Sequence, residues 1–320
     1  MIEVINSQLY KIEIPLPNNP LKSLNSYVIK SKDRNLLIDT GMNREECITA
    51  MEQALEQLEI DLNITDIFIT HLHSDHTGLV PYLAKENSRV YCSRVDAAYI
   101  NSSGNWQGML GYALKNGFPA DEDTILKHPG YKYAPGSKID FTIVKEKDEI
   151  IIGDYKFTCI STPGHTRGHM CLYEPYKKIL VSGDHILYKI TPNISLWTDE
   201  DDPLKDYLAS LEKTRKLNVD LVLPAHRMIF NDLNKRVEEL KDHHNKRLRD
   251  IMAVIKDNTL NAFQVASKIN WDLSYSDWNE FPTPQKWFAT GEVISHLKYL
   301  ENRGMVKRSL VNDKLAYILI

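Results

Sequence analysis

Apolar positions along this chain fall into two regimes. Up to about residue 230 they form short runs bounded by turn residues, and beyond it they recur every three or four positions. Segments 9–14, 26–30 and 35–39 alternate or run apolar and predict strands, with Pro15, Pro17 and Asn18-Asn19-Pro20 separating the first two. Cys47, Met51, Leu55 and Leu58 share a helical face and predict a helix over 44–59. Segment 66–70 reads as another strand, Thr77 as the cap of a helix reaching about Lys85, and 89–92 as a short strand. Residues 94–140 break the rhythm. Trp106, Met109, Leu110, Tyr112, Leu114, Phe118, Tyr131 and Tyr133 stand there among glycines and prolines, which predicts a helical insertion. Strands resume at 141–145, 156–161, 169–173 and 178–182, and Leu204, Leu208, Leu211 and Leu217 predict a helix over 203–217. From Asn231 onward Leu233, Val237, Leu240, His244, Leu248, Ile251, Met252 and Ile255 form a long amphipathic helix. Segments 262–269 and 290–303 read as helices around a polar stretch rich in Trp and Ser, and 306–308 with 315–320 as a hairpin turning near Asn312-Asp313.

Composition adds limits. A chain of 320 residues has room for two cores. The formal net charge is -4, with 27 Lys and Arg against 34 Asp and Glu in 1–240 and 12 against 9 in 241–320, so no global field favours nucleic acid. Cys47, Cys92, Cys159 and Cys171 form no C-x-x-C pair and read as buried, reduced thiols. No basic-then-apolar leader precedes the first strand, and no apolar run approaches transmembrane length. A soluble cytoplasmic protein with no membrane partner is the expectation.

The candidate chemistry changes the picture. The run Thr70-His71-Leu72-His73-Ser74-Asp75-His76-Thr77-Gly78 packs three imidazoles and a carboxylate into six positions, directly after an apolar segment. In an extended segment, alternation puts His71 and His73 on one side. Asp75 and His76 lie further along a turn and reach a second point, so two metal positions are expected. His165 in Ser161-Thr162-Pro163-Gly164-His165, Asp184 in Leu180-Val181-Ser182-Gly183-Asp184 and His226 in Leu221-Val222-Leu223-Pro224-Ala225-His226 each follow an apolar, β-branched run. One edge of an α/β scaffold gathers residues in this way.

Taken in order, His71-x-His73-x-Asp75-His76, Gly164-His165, Gly183-Asp184 and Ala225-His226 resemble the metallo-β-lactamase superfamily, and Leu36-Leu37-Ile38-Asp39-Thr40-Gly41 resembles its early acidic motif. The resemblance spans about residues 1–230. It implies an α/β fold of the αββα sandwich type, with two mixed sheets face to face, helices on both outer faces and metals at one edge. The catalytic domain would be 1–230, with 94–140 as an insertion able to act as a lid. Residues 231–320 would form a small winged-helix-like domain, as in the β-lactamase-like endoribonuclease branch. The resemblance also implies roles. His71, His73 and His165 would hold one metal, Asp75, His76 and His226 the other, and Asp184 would bridge them. Asp39 would support the ligand loop by hydrogen bonding. His169 and His185 are expected beside the site without binding metal. Nitrogen and oxygen donors without thiolate suit two Zn2+ ions, with Mn2+ or iron compatible with the same set.

Such a site implies hydrolysis by a zinc-bound hydroxide between two cations, formed because the water's pKa falls to about 7. Asp75 is the candidate catalytic group, orienting the water or passing a proton. No G-x-S-x-G occurs, so no serine nucleophile is needed. A small ester, thioester or lactone is the leading substrate class. A metal-dependent nuclease acting on single-stranded RNA is the alternative, and a winged-helix regulator with a vestigial metal site is the third reading. Within the resemblance, antibiotic-hydrolysing members usually have Cys or Ser where Asp184 stands, and flavodiiron members have Glu where His73 stands. Glyoxalase II members end in a helical domain unlike this tail. The basic tail residues Lys286, Lys298, Arg303, Lys307 and Arg308 are interrupted by Glu292, Glu301 and Asp313. A small-molecule substrate is therefore the expected partner, with homodimerisation open. Trp106, Tyr112, Tyr188 and Trp197 are expected to form an apolar substrate wall over the metals.

Overall fold

The computed structural model describes residues 1–102, 104–119, 122–272 and 277–320. Its strands are β1 (Ile2–Val4), β2 (Leu9–Pro15), β3 (Ser23–Ile29), β4 (Asn35–Ile38), β5 (Thr65–Phe68), β6 (Val90–Ser93), β7 (Phe141–Val144), β8 (Glu149–Ile152), β9 (Tyr155–Ser161), β10 (Met170–Glu174), β11 (Ile179–Gly183), β12 (Leu221–Pro224), β13 (Val306–Val311) and β14 (Lys314–Leu319). Its helices are α1 (Glu45–Gln57), α2 (Ser74–Thr77), α3 (Val80–Leu83), α4 (Arg94–Asn101), α5 (Trp106–Lys115), α6 (Glu122–Leu126), α7 (Pro129–Lys132), α8 (Pro203–Thr214), α9 (Leu233–Ile255), α10 (Ala262–Ala266) and α11 (Thr283–Glu301).

The chain divides into two compact units that interleave along the sequence. The first comprises 1–104, 129–192 and 210–237, and the second comprises 105–128, 193–209 and 238–320. This differs from a single cut near residue 230. The expected insertion is helical, but only its middle belongs to the second unit, and α8 and α9 each pass from one unit to the other.

The first unit holds two mixed sheets. One runs β1 to β7 in chain order, antiparallel through β4 and parallel from β4 to β7. The other runs β12-β11-β10-β9-β8, with β11 and β12 parallel and the rest antiparallel. Alternation sorts the first sheet's side chains between two cores. Leu36, Ile38, Phe68 and Tyr91 join Phe157, Cys159, Leu172 and Val181 of the second sheet in one core. Leu37, Ile67, Ile69, Val90 and Cys92 face the other way and pack with Cys47, Met51 and Leu55 of α1, Val80 and Leu83 of α3 and Ala97 of α4. Both faces of these strands are buried, which is why they read as continuous apolar runs instead of strict alternation. This is the αββα arrangement that the motif order implied.

Local chemistry accounts for the departures from the sequence reading. Thr77 lies inside α2, where its hydroxyl donates to His73 O at 3.0 Å, and does not cap a helix to Lys85. Gly78 follows at once, and Pro81 sits in the first turn of α3, so the expected helix is split in two. Helix α11 starts seven residues before the expected 290, with Pro284 in its first turn, where a missing N–H costs nothing. Strands β1 and β8, three and four residues long, add to the strands expected from the pattern.

The second unit packs Ala113 and Phe118 of the insertion against Trp287 of α11, with Met109, Trp197, Phe263 and Phe288 around them. After α11 the chain closes in the β13–β14 hairpin, and Leu260 pairs with Tyr317 at its side. Between α9 and α11 lies a buried polar group. His296 Nδ1 donates to Glu292 O at 2.7 Å, so His296 Nε2 accepts from His244 Nδ1 at 3.1 Å. Arg247 pairs with Glu292 at 3.2 Å, and His243 and Tyr207 flank the group. Burial lowers His296 to about 4 against the opposing pull of Glu292, and burial with His296 beside it holds His244 well below its ordinary value. Folding therefore disfavours the protonated form of both. The unfolded chain binds protons at these positions below pH about 6.5, so stability falls as pH drops through that value, and His296 stops contributing to the loss near 4. We expect the stability of the wild type, measured by urea unfolding, to fall more steeply between pH 6.5 and 4.5 than that of His296→Gln. The slope should differ by about 1 kcal/mol per pH unit, below the limit of about 1.4 for one whole proton. Parallel curves would show that this histidine is not held neutral.

Candidate metal centre

Five strand ends build the site. Strands β4 and β5 are parallel, and β9 and β11 each run antiparallel to β10. The C-terminal ends of β9, β11 and the parallel β12 therefore share one edge of their sheet. Asp39 follows β4, His71 and His73 follow β5, His165 follows β9, Asp184 follows β11 and His226 follows β12. The turn after β11 is shaped by Gly183. It adopts φ 50°, and a Cβ there would lie 2.7 Å from His169 Nε2 and 2.9 Å from Thr70 Cβ. The β11–β12 register also shifts between Val181 and Gly183, a bulge that re-aims the following side chain.

The side chains that the sequence singled out meet as two groups, one of His71, His73, His165 and Asp184, the other of Asp75, His76 and His226. In the first, His73 Nδ1 lies 2.9 Å from His71 Nε2 and 3.1 Å from His165 Nε2, and Asp184 Oδ2 lies 3.5 Å from His165 Nε2. In the second, His226 Nε2 lies 3.4 Å from Asp75 Oδ2, and His76 Nε2 lies 3.8 Å from it. The other oxygen of Asp184, Oδ1, lies 3.4 Å from His226 Nε2 and 3.7 Å from His76 Nε2. Asp184 thus offers one oxygen to each group.

Neighbours set which ring nitrogen faces inward. His76 Nδ1 donates to Asp39 Oδ2 at 2.7 Å, and His226 Nδ1 donates to Ser23 O at 2.7 Å, so the lone pair of each ring, once it is neutral, lies on the inward-facing Nε2. Asp39 also accepts from Thr70 N–H at 2.9 Å and Thr70 Oγ1 at 2.8 Å, the supporting role expected of it. His169 lies one step further out. Its Nδ1 meets Thr162 Oγ1 at 2.8 Å, and its Nε2 accepts the Asp184 N–H at 3.2 Å. His185 reaches Thr214 Oγ1 at 3.2 Å. Sequence reasoning missed Asp96, a fully buried carboxylate bonded to Leu72, Thr166 and Gly168. An Asp at the start of a helix has no local signature for such a role.

A test of fit comes from the buried atoms. His76 Nε2, His226 Nε2 and Asp184 Oδ1 are shut from solvent and have no hydrogen-bond partner among the described residues, although buried polar groups are nearly always paired. Asp184 Oδ1 faces both Nε2 atoms, at 3.7 and 3.4 Å, and with the two rings neutral all three offer electron pairs to a cation. Charge tells the same story. Burial pushes His76 down, but Asp39, Asp75 and Asp184 outweigh it and carry it up to about 10. Burial would raise Asp75, but His76 and His226 hold it far below the usual carboxylate range. His71, buried and ringed by other imidazoles, is depressed well below its ordinary value.

The residues expected to form the substrate wall have neighbours in each unit. Tyr188 packs on Phe230 at 5.6 Å in the first unit. Trp106, Tyr112 and Trp197 belong to the second unit. There Trp197 stacks on Trp287 at 3.9 Å, Trp106 lies 5.0 Å from His128, and burial with Asp199 nearby pushes the Tyr112 hydroxyl up to about 12.

The profile of the metallo-beta-lactamase superfamily matches residues 20–226, and the chain belongs to that superfamily. It is similar to the beta-lactamase-like protein 2 homolog of Caenorhabditis elegans, 28% identical over 91% of this chain and 84% of the relative. It is also similar to the atrochrysone carboxyl ACP thioesterase of Aspergillus fumigatus, 22% identical over 80% of this chain and 67% of the relative. Among solved structures, a metallo-beta-lactamase family protein of Thermus thermophilus superposes with a TM-score of 0.86 at 24% identity, covering 99% of this chain and 100% of that one, and shows the shared fold. The chain is therefore a member of a family of metal-dependent hydrolases.

Asp39→Ala should destabilise the protein in chelator by roughly 2 kcal/mol or more, because it strands the Thr70 N–H and the His76 Nδ1–H in the interior. Urea unfolding measures this. An unchanged midpoint would mean that water replaces the carboxylate and that Asp39 is not needed to orient His76.

Proposed function

We propose that this chain is a dinuclear zinc hydrolase acting on a small ester, thioester or lactone, with thioesters foremost. The observation that carries the reading is Asp184, whose two oxygens face separate groups of histidines, with Asp184 Oδ1, His76 Nε2 and His226 Nε2 buried and unpaired among the described residues. His71, His73, His165 and Asp184 would hold one ion, and Asp75, His76, His226 and Asp184 the other. Nitrogen and oxygen donors without thiolate favour zinc. Cations bound there would lower the pKa of a water to about 7 and polarise the substrate's carbonyl oxygen.

The chain's own residues supply orientation and proton handling. Asp39 and the Ser23 carbonyl fix the rings of His76 and His226. His169 holds the backbone of Asp184. Asp75, whose Oδ2 lies 3.4 Å from His226 Nε2, would accept a proton from the attacking water and return it to the leaving group. The thioesterase relative supports an acyl thioester as the substrate.

The nuclease reading loses support from the tail's own ion pairs. Lys298 and Arg308 both meet Asp199, at 3.3 and 2.7 Å. Arg308 also meets Glu301 at 3.0 Å, and Arg303 lies 3.8 Å from Asp202. These cations are already neutralised within the second unit.

Asp184→Ala should lose bound metal and nearly all hydrolysis. Metal analysis of the purified protein, expected near two zinc per chain, and a screen of thioesters, lactones and aryl esters check both points. Full activity in a metal-free preparation would sink the reading. Neither single-stranded RNA nor duplex DNA should give a salt-sensitive retarded band, and charge reversal at Lys298 and Arg303 should leave ester hydrolysis within a few-fold. A large drop confined to RNA substrates would favour the nuclease.

A further inference from the structure

Asp96 sits in the first turn of α4, whose cap Ser93 accepts the Asp96 N–H at 3.2 Å. Helix α4 continues directly from β6, a strand paired in parallel with β5. The carboxylate is fully buried and its bonds go to two loops. Oδ2 accepts the Leu72 N–H at 3.0 Å, between His71 and His73, and the Thr166 hydroxyl at 2.7 Å, next to His165. Oδ1 accepts the Gly168 N–H at 2.9 Å. Gly168 is drawn in so tightly that a Cβ would lie 2.2 Å from Ser93 Oγ and 2.5 Å from Asp96 Oδ1.

The two loops belong to different sheets. The His71–His73 loop leaves β5 and the His165 loop leaves β9. A carboxylate is costly to bury, so neutral packing would be served better by another residue. Both of its oxygens face N–H donors, however. An Asn would turn its NH2 toward one of them and lose that bond.

We propose that Asp96 is a positioning residue for the metal centre: bonded to both loops, it sets how far His71 and His73 stand from His165, and so the affinity and geometry of that donor group. The inference rests on the metal-centre reading given above. A second tie between the sheets, Met170 N–H to Thr70 O at 2.8 Å, does not involve Asp96 and favours folding of its variants.

The test compares wild type with Asp96→Ala, Asp96→Asn and Thr166→Val. Zinc affinity is measured against a competing chelator, the visible absorption is recorded after Co2+ loading, and thermal unfolding is followed in chelator. Asp96→Ala should bind zinc about 10–100-fold more weakly, as loss of a group that orients ligands typically does. Its Co2+ spectrum should shift in intensity or position. Asp96→Asn should resemble Ala more than wild type, and Thr166→Val, which keeps the carboxylate, should show a smaller loss in the same direction. Variants that bind zinc within twofold of wild type with unchanged Co2+ spectra overturn the assignment, even where the unfolding temperature drops. Wild type that binds neither ion would overturn the metal reading itself, a result distinguishable from failure of Asp96 alone.

Discussion

The burial of Asp184 is the constraint on which the rest of the site depends. The carboxylate is 6% exposed, and the imidazole nitrogens facing it lie at 3.4 to 3.7 Å, beyond good hydrogen-bond length. An ionised group in that position needs opposite charge close by, or its desolvation costs several kcal/mol. Protons drawn onto His76 and His226 by the surrounding carboxylates provide one form of that charge. A cation that displaces those protons supplies more of it at the same place. Metal uptake there would be coupled to proton release, and the acidic residues that make these histidines basic would also strengthen the loaded site.

Rigidity comes from where the donors sit. The candidate donors stand on residues that closely follow strands, and those strands are held by cores that contain Phe68, Phe157 and Val181 between the sheets and Ile67, Cys92 and Met51 on the first sheet's other face. Between the strands and the donors lies one layer of oriented hydrogen bonds, made by Asp39, Ser23, Thr162 with His169, and Asp96. Nearly every bond in that layer joins segments distant in sequence. The site is thus held to the scaffold by short, directional contacts and not by the loops' own conformational preferences.

The candidate metal-binding positions were legible because they are written locally. The run from His71 to His76 shows its clustering without any fold, and His165, Asp184 and His226 each mark the end of an apolar run. The supporting layer was legible only where a motif carried it, as with Asp39. Asp96 was not, because its partners Leu72 and Gly168 offer backbone N–H groups, which every sequence position other than proline has. Strands β1 and β8 are too short to show a period. The start of α11 is hidden because Pro282 and Pro284 look like breakers, although Pro284 occupies a first-turn position that tolerates it. The interleaving of the two units has no signal along the chain at all. Trp106 and Phe118 look like an insertion's own core, and only the fold shows Phe118 packed with Trp287 from a segment far along the chain.

The tail shows how charge misleads when it is read in one dimension. Along the sequence, Lys298, Arg303, Lys307 and Arg308 form a basic stretch with Glu301 as its main interruption. In the fold the decisive acids come from about a hundred residues earlier: Asp199 meets Lys298 and Arg308, and Asp202 meets Arg303 and accepts from Asn302 at 2.8 Å. These contacts fasten segment 193–202 to α11 and the hairpin within the second unit. Exposed pairs of this kind contribute little stability singly, but two acids shared among several cations leave little net positive field for a phosphate backbone to find. A basic cluster argues for nucleic acid only so far as acids do not neutralise it in the fold, and here Asp199, Asp202 and Glu301 pair with Lys298, Arg303 and Arg308.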